Sequence, residues 1–168
     1  MIPVHNHPEV QPGPWVDTDR MPTTIAPYFL KNDTGPRWAA GGFLFKPLIE
    51  EAQSGGKFSI VRVEGAKNVA QPLFQAQRPK FDNVYHAIFV TEGTFCISID
   101  DAEVALHAGD TVFIPAGSHF AFNVTSLYGI GYLFSNAGGL AQKLAPFGED
   151  YPSTIISENF PAGASYRE

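Results

Sequence analysis

The stretch YHAIFVTEGTFCISI, residues 85–99, decides the fold of this chain. Its second half alternates strictly, with Phe95, Ile97 and Ile99 separated by small or polar residues. A period of two is typical of a β-strand with one buried face. Gly93 supplies a turn between the two halves. We therefore predict two strands that form a half-buried β-hairpin.

Outward from this stretch, short β-rich segments recur about every ten residues, separated by Gly, Pro, Asn and Asp. This spacing is typical of a sandwich or barrel, and it argues against a fold of alternating strands and helices. Only residues 140–147 show apolar residues at helix spacing. The sequence predicts an all-β domain with a short C-terminal helix. The other predicted strands cover 27–30, 43–45, 58–63, 111–115, 120–124 and 129–134.

The first 26 residues differ from the rest, because they are rich in proline and lack periodicity. We interpret residues 1–26 as an extended arm that lies on the domain or on a partner. The remaining residues, 27–168, are expected to form one domain with one core, since this length is ordinary for a single domain.

Composition excludes several classes of partner. The net charge is −6 and no run of Lys or Arg occurs, so we expect neither nucleic acid nor a membrane surface as partner. The N-terminus has no apolar run of signal-peptide length, and no segment is long enough for a membrane helix. Cys96 is the only cysteine, which fits a reducing compartment. We expect a soluble, cytoplasmic protein.

Two motifs carry a family resemblance. GDTVFIPAG, residues 109–117, resembles the second sequence motif of the cupin superfamily, and VTEG, residues 90–93, resembles the end of the first motif. The resemblance implies a cupin domain, which is a double-stranded β-helix or jelly-roll barrel. Such a barrel, with 14 Phe and 6 Tyr in the chain, suits a small aromatic ligand in its interior.

The likeness narrows to the carboxy-terminal cupin half of fungal quercetin 2,3-dioxygenases, over about residues 27–155. In those enzymes the metal lies in the other half. The segments that carry this likeness are PYF at 27–29, GPR at 35–37, IPAG at 114–117 and GGL at 138–140.

The family's metal ligands are only partly matched. His86 stands where the first motif has a glutamate, and the histidine pair before it is absent. The remaining ligand position allows two registers. If the turn after Gly117 has lost a residue, His119 points inward. If it has not, Phe120 fills the site, because side chains alternate along a strand.

In the first register Asp82, His86 and His119 would form a two-histidine, one-carboxylate set for Fe, Ni, Mn or Zn. Because the family's ligand set is broken, we favour the absence of a metal. The same three residues are the catalytic candidates, with His86 as the general acid or base and Asp82 as the group that orients it. The candidates for substrate binding are Tyr28, Trp38, Arg78, Tyr85, Phe120 and Phe122.

Three functions remain open. The favoured one is an enzyme that acts on a polyketide-like or phenolic compound by histidine-assisted acid–base chemistry, such as isomerisation, cyclisation, dehydration or decarboxylation. The second is a metal-dependent dioxygenase like the quercetinases. The third is a non-catalytic cupin that binds a ligand or supports an active partner. The resemblance also implies a homodimer, paired through a sheet edge and swapped terminal strands.

Overall fold

The computed structural model describes residues 20–75, 77–157 and 160–161. Most of the predicted arm, residues 1–19, therefore lies outside the described residues. None of the helices in the described part of the chain is long and apolar enough to cross a membrane.

The described residues form ten strands and two short helices. The strands are β1 (Trp38–Ala40), β2 (Phe43–Ile49), β3 (Phe58–Gly65), β4 (His86–Glu92), β5 (Thr94–Ile99), β6 (Ala102–His107), β7 (Thr111–Ile114), β8 (Phe120–Val124), β9 (Gly129–Asn136) and β10 (Glu149–Asp150). The helices are α1 (Glu51–Ser54) and α2 (Leu140–Leu144), and a 3-10 turn (Ala145–Phe147) extends α2.

The strands form two antiparallel sheets. The larger sheet has seven strands in the order β10-β1-β2-β3-β9-β4-β7, and the smaller has three in the order β6-β5-β8. The fold is a cupin jelly roll with a short C-terminal helix, as the sequence predicts. Among the described residues no strand pair joins the two sheets into a closed barrel.

The core lies between the two sheets and is rich in aromatic side chains. Phe43 on β2 meets Phe122 on β8 edge to face, with ring centroids 5.0 Å apart. Phe95 and Ile97 on β5 are fully buried beside them, as the alternation of their strand predicts. Each ring removes a large apolar area from water, so these contacts hold the sheets face to face.

The predicted hairpin at Gly93 is wrong, although both of its strands exist. β4 pairs with β7 and β9 in the larger sheet, whereas β5 pairs with β6 and β8 in the smaller one. The chain therefore crosses between sheets at Gly93. This residue has φ of +72°, and a Cβ there would overlap the carbonyl oxygen of Tyr128. Packing against the turn before β9 thus replaces the pairing of β4 with β5.

Two further differences concern the strand assignments. Residues 27–30 form no strand; they line an open groove of about 430 Å³ next to the end of β2. Conversely, β6 was not predicted, because five of its six residues are exposed and it has no buried alternation. The helix prediction is confirmed by α2 and the 3-10 turn that follows it.

Candidate functional site

His86 is the first residue of β4 and points into the core. It lies between Ile114 on β7 and Ser135 on β9, and it is only 2% exposed. The alternation of β4 explains its direction, because Ile88 and Val90 on the same face are buried while Phe89 is exposed. The inward position predicted for His86 is therefore confirmed.

The ring of His86 is fixed by the N-terminal end of α2. The backbone N–H of Leu140 donates a hydrogen bond of 3.1 Å to Nε2 of His86. Nε2 is thus an acceptor, which places the proton of the neutral ring on Nδ1. Gly139 allows this approach: a Cβ at Gly139 would lie 3.1 Å from Nε2 and would overlap Oγ of Ser135.

Burial sets the charge state of His86. Its ring lies 5.0 Å from the ring of Phe81 and 4.8 Å from that of Phe120, centroid to centroid. Removing the imidazolium from water in these apolar surroundings is unfavourable, and burial lowers the pKa of His86 to about 4. The imidazole is therefore neutral at physiological pH.

The polar surroundings of His86 include a pair of buried serines. Oγ of Ser59 and Oγ of Ser135 lie 2.8 Å apart and share a hydrogen bond. Both side chains are buried. Nδ1 of His86 has no hydrogen-bond acceptor among the residues that the structure describes. The site thus holds one protonated ring nitrogen that can donate to a bound molecule.

Asp82 does not orient His86. Its side chain is 76% exposed and forms an ion pair with Lys80, with Nζ and Oδ1 3.2 Å apart. It belongs to the turn before β4, in which the neighbouring Asn83 is exposed as well. The carboxylate therefore lies in solvent, and the orienting role predicted for Asp82 falls to the amide of Leu140.

The structure selects the second register after Gly117. His119 is exposed, and Phe120 is completely buried against His86. The backbone of His119 is held at this register, because its N–H donates a 2.9 Å hydrogen bond to Oδ1 of Asp100 and its carbonyl accepts one from the Asp100 N–H. His119 therefore does not point inward, and an aromatic ring fills the place of the family ligand.

The three candidate ligands are consequently not brought together. No group of three or more His, Cys, Asp or Glu side chains that could hold a metal occurs in the described part of the chain. Asp82, His86 and His119 therefore do not fit the metal that the resemblance allowed.

The six candidates for substrate binding fall into three locations. Trp38, Phe120 and Phe122 are buried in the core. Tyr28 lines the groove beside β2 and donates a hydrogen bond to the carbonyl oxygen of Leu48.

Tyr85 and Arg78 lie outside the core. Tyr85 is exposed and stacks on Phe113, with ring centroids 6.0 Å apart. Arg78 is exposed and donates a 2.8 Å hydrogen bond to the carbonyl oxygen of Asp100. Neither side chain reaches His86, so neither lines the interior as predicted.

Sequence reasoning missed four contributors to the site. Ser59 and Ser135 are unremarkable polar residues in apolar strands, and such residues are themselves the available signal, because a buried hydroxyl requires a partner. Gly139 and Leu140 belong to the segment that carries the resemblance, and Leu140 also begins the predicted helix, but neither pattern indicates a contact with His86. Their contact with His86 joins residues 54 positions apart, which no local pattern predicts.

Comparison with known proteins agrees with this description. Residues 77–127 match the cupin domain family. A predicted oxalate decarboxylase from Thermotoga maritima is 12% identical, with a TM-score of 0.53 over 61% of this chain and 91% of that one. At this identity the likeness concerns the fold alone. Residues 77–127 thus match a cupin domain within a cupin fold, as the two motifs predict.

A curated relative narrows the comparison. The quercetin 2,3-dioxygenase of Bacillus subtilis (strain 168) is 25% identical over 134 residues, which are 80% of this chain and 38% of that protein. This chain thus spans well under half the length of the relative. The comparison supports the likeness to quercetin 2,3-dioxygenases in sequence, and it says nothing about whether this chain shares their activity.

Proposed function

We propose that this cupin binds a small phenolic or polyketide-like molecule between its sheets, and that His86 performs acid–base chemistry on it. The observation that carries the proposal is the state of His86: a neutral, buried imidazole whose Nε2 is engaged by Leu140 and whose Nδ1–H has no acceptor among the described residues. Such a donor suits a carbonyl or phenolic oxygen in apolar surroundings.

The chemistry follows from the low pKa of His86. A neutral imidazole donates a hydrogen bond from Nδ1–H to a carbonyl oxygen, and it strengthens that bond as negative charge develops on the oxygen. Enolisation and decarboxylation next to a carbonyl both develop such a charge. The residue acts as a hydrogen-bond donor in this scheme and keeps its Nδ1 proton, because a neutral imidazole is a very weak acid and a ring with a pKa of about 4 is also a weak base. Water takes up the proton in enolisation and returns one to the enolate after CO2 has left in decarboxylation.

A ligand would have to pass the side chain of Phe81 to reach His86. The centroid of the Phe81 ring lies 5.0 Å from that of His86 and 4.9 Å from Nζ of the exposed Lys143. Phe81 is almost fully buried. We infer that it moves aside when a ligand enters, and that the Lys143 ammonium attracts a phenolate or carboxylate group of that ligand.

A non-catalytic cupin is the second candidate. The observation that favours it is the hydrogen bond from Leu140 to Nε2, since this bond gives His86 a role in attaching α2 to the sheet. In that case the protein binds its ligand without converting it. The metal-dependent dioxygenase is not proposed, because Asp82 and His119 lie in solvent and supply no ligands beside His86.

Turnover separates the two candidates. The wild type, His86→Gln and the matched control His119→Gln are incubated with quercetin and a panel of phenols and aromatic 1,3-diketones, with and without EDTA. Products are followed by chromatography and oxygen uptake by electrode. We expect product formation that EDTA leaves unchanged, that consumes no oxygen and that falls at least about 100-fold in His86→Gln, while His119→Gln behaves as wild type.

Each other outcome has a definite meaning. Saturable binding of a panel member without any product contradicts the enzyme and supports the binding module. Oxygen uptake that EDTA abolishes contradicts acid–base chemistry. If the protein neither binds nor converts any compound of the panel, the proposed ligand class is wrong. The cytoplasmic location stays a prediction from the single cysteine, Cys96.

A further inference from the structure

The outer face of the larger sheet carries five exposed aromatic rings. On β4 the buried residues His86, Ile88 and Val90 alternate with residues that point outward, and strand register places outward residues of β3, β7 and β9 beside them. Five rings stand on or next to this surface, which we call the outer aromatic face. They are between 36% and 60% exposed, and they belong to Phe58, Tyr85, Phe89, Phe113 and Phe134.

Strand register shows that these rings form one surface. Phe113 on β7 and Phe134 on β9 flank the same outward position of β4, and neighbours across a sheet are about 5 Å apart. Tyr85, which precedes β4, stacks on Phe113 with ring centroids 6.0 Å apart. On the other side Ile60 of β3 pairs with Phe134, and Phe58 is the next outward residue of β3. The rings therefore form a continuous apolar surface on a rigid sheet.

The other half of the outer face is covered by both ends of the described chain. Leu44 on β2 points outward and lies in one apolar cluster with Phe160 of the C-terminal tail. Lys46, the next outward residue of β2, donates hydrogen bonds to the carbonyl oxygens of Lys31 and Asn32. Segments from the N-terminal and the C-terminal part of the chain thus lie over β2.

The two halves meet at a charged boundary on β3. Arg62 and Glu64 occupy outward positions there, and Nε and Oε1 of this ion pair are 2.9 Å apart. Arg62 also donates a hydrogen bond to Oδ1 of Asn32, and Glu64 accepts one from the hydroxyl of Tyr128. These charges are therefore paired within or beside the covered half, and the exposed rings lie beyond them.

The described chain begins close to Phe58, at one end of the outer aromatic face. The side chain of Gln53 on α1 donates a hydrogen bond to the carbonyl oxygen of Pro22. The next residue of α1, Ser54, accepts a 3.2 Å hydrogen bond at Oγ from the backbone N–H of Phe58. The residues that precede Arg20 are thus attached next to the first ring of the face.

Residues 1–19 have a composition and a length that suit this surface. Four of them are prolines, and the apolar ones include Ile2, Val4, Val10, Trp15 and Val16. Proline-rich segments bind surfaces lined by aromatic rings, and their restricted backbone loses little entropy on binding. In the polyproline II conformation a chain rises about 3.1 Å per residue. About five residues therefore cross the roughly 14 Å from β3 to β7.

The size of the face favours an occupant from the same chain. The five rings expose on the order of 450 Å², whereas each partner of a standard interface between separate proteins buries about 800 Å². A tethered segment avoids most of the entropy that a separate partner loses, because its effective concentration is about millimolar. A face of this size is therefore sufficient for a segment that is already attached beside it.

We propose that residues 1–19 dock on the outer aromatic face of the same molecule, with the ring of Trp15 against the rings of this face. The sequence leaves open whether this arm lies on the domain or on a partner. Residues 22–32 already follow the outer face along β2, and the proposed path extends this cover from β3 to β7. Trp15 is the anchor, because it offers the largest apolar surface of the segment and lies five residues before Arg20. The inference does not depend on the proposed function, since the face points away from His86.

Acrylamide quenching of tryptophan fluorescence tests the position of Trp15. The chain has two tryptophans, and Trp38 is buried in the core, so the difference between a protein and its Trp15→Phe counterpart isolates Trp15. This difference is measured in the wild type and in Phe113→Glu and Phe89→Glu, which place a carboxylate on the face. Phe147→Glu is the matched control, because Phe147 is 69% exposed on the 3-10 turn and lies outside the face. Circular dichroism checks the fold of each variant.

We expect Trp15 to be shielded from acrylamide in the wild type and in Phe147→Glu, equally over about a hundredfold range of protein concentration. Its quenching constant should rise at least about threefold in Phe113→Glu and Phe89→Glu, because a carboxylate on the face stays hydrated and repels the acidic segment. Shielding that increases with protein concentration overturns the proposal, since the segment then docks on a second copy. Full accessibility of Trp15 in the wild type overturns it too, as does shielding that withstands both substitutions on the face.

A second measurement leaves the sheet unchanged. Trp15→Ala should uncover part of the outer aromatic face, so the fluorescence of bound anilinonaphthalene sulfonate should rise at least about threefold over the wild type. Thr18→Ala, a substitution in the same segment, is the control and should bind the dye as the wild type does. Equal dye fluorescence in the wild type and Trp15→Ala would contradict docking through Trp15.

Discussion

At the scale of single residues, the hydrogen bond from Leu140 and the burial of the ring decide what chemistry His86 can perform. Any polar residue at this position would need a partner, and the Leu140 amide supplies it at 3.1 Å. Because Gly139 has no side chain, α2 can come close enough to do so. The consequence is a histidine that is an acceptor at Nε2, a donor at Nδ1 and uncharged.

The lowered pKa of His86 predicts a pH-dependent stability. Above about pH 6.5 the ring is neutral in both the folded and the unfolded chain, so it contributes no pH dependence. As the pH falls from about 6.5 to 4, the unfolded chain binds a proton that the native one does not. The free energy of unfolding therefore falls, by about 3 kcal/mol from this residue by pH 4.

Denaturant unfolding at several pH values between 4 and 8 measures this effect. The difference between the wild type and His86→Gln isolates the histidine from the other titratable groups of the chain. His107→Gln removes an exposed histidine and is the control for the loss of a histidine at another position. If the free energy of unfolding changed with pH in the same way in the wild type and in His86→Gln, burial would not lower the pKa of His86.

At the scale of elements, the turn between β4 and β5 decides the architecture. Both strands are where the alternation places them, but Gly93 sends them into different sheets. Oγ of Ser126 accepts a 2.9 Å hydrogen bond from the N–H of Thr94 and donates to the carbonyl of Tyr128. The crossing is thus fixed by the turn before β9, and it brings β5 over the core.

Gly93→Ala should destabilise the protein by at least about 2 kcal/mol. The new methyl group would overlap the carbonyl oxygen of Tyr128, and φ of +72° is unfavourable for alanine. The free energy of unfolding from denaturant titration checks this. Gly56→Ala is a suitable comparison, because Gly56 has a similar φ of +74° with open space around it. We expect this variant to lose only the part of the unfolding free energy that comes from the unfavourable backbone conformation, which is the smaller part. If both variants lost the same free energy of unfolding, the close contact between position 93 and the carbonyl of Tyr128 would not matter for stability.

At the scale of the whole molecule, the larger sheet serves two environments. Its inner face holds His86 and the aromatic core. One half of its outer face is aromatic and exposed. The other half is charged and covered: Lys46 is buried, and its Nζ donates 2.6 Å and 2.8 Å hydrogen bonds to the carbonyl oxygens of Lys31 and Asn32. These bonds attach the segment before β1 to the sheet.

Lys46→Met should loosen that segment without unfolding the core. Burial lowers the pKa of Lys46, yet its ammonium has two carbonyl partners whose charge-assisted bonds a thioether cannot replace. Hydrogen exchange at the amide of Thr34, which donates to the carbonyl of Lys31, should become at least about tenfold faster. Lys57→Met, at an exposed position, is the control. Unchanged exchange in Lys46→Met would show that other contacts hold the segment.

Local patterns predicted much of the fold. The alternation of Phe95 and Ile97 placed their side chains in the core, and the apolar spacing after Gly139 predicted α2. β6 escaped prediction because an edge strand with solvent on most of its side chains has no alternation to detect. The cupin motifs named the architecture that alternation alone left open between sandwich and barrel.

Within the site, the sequence predicted Phe120 in one of two alternatives and the inward position of His86. The inward position of this residue follows from the period of its own strand, so a local rule was sufficient. The register at His119 depends on Asp100, which is 19 residues away, and the state of the ring depends on Leu140, which is 54 residues away. Local rules carry no information about such contacts.

The sequence by itself thus determined an all-β cupin with an aromatic core and one inward histidine, because strand period and turn residues act over a few positions. Only the tertiary structure decided that β4 and β5 part at Gly93, that Phe120 displaces His119 from the interior, and that aromatic rings from β3, β4, β7 and β9 meet on one outer face. Each of these depends on which distant strands pair, and that choice is made by packing of the whole chain.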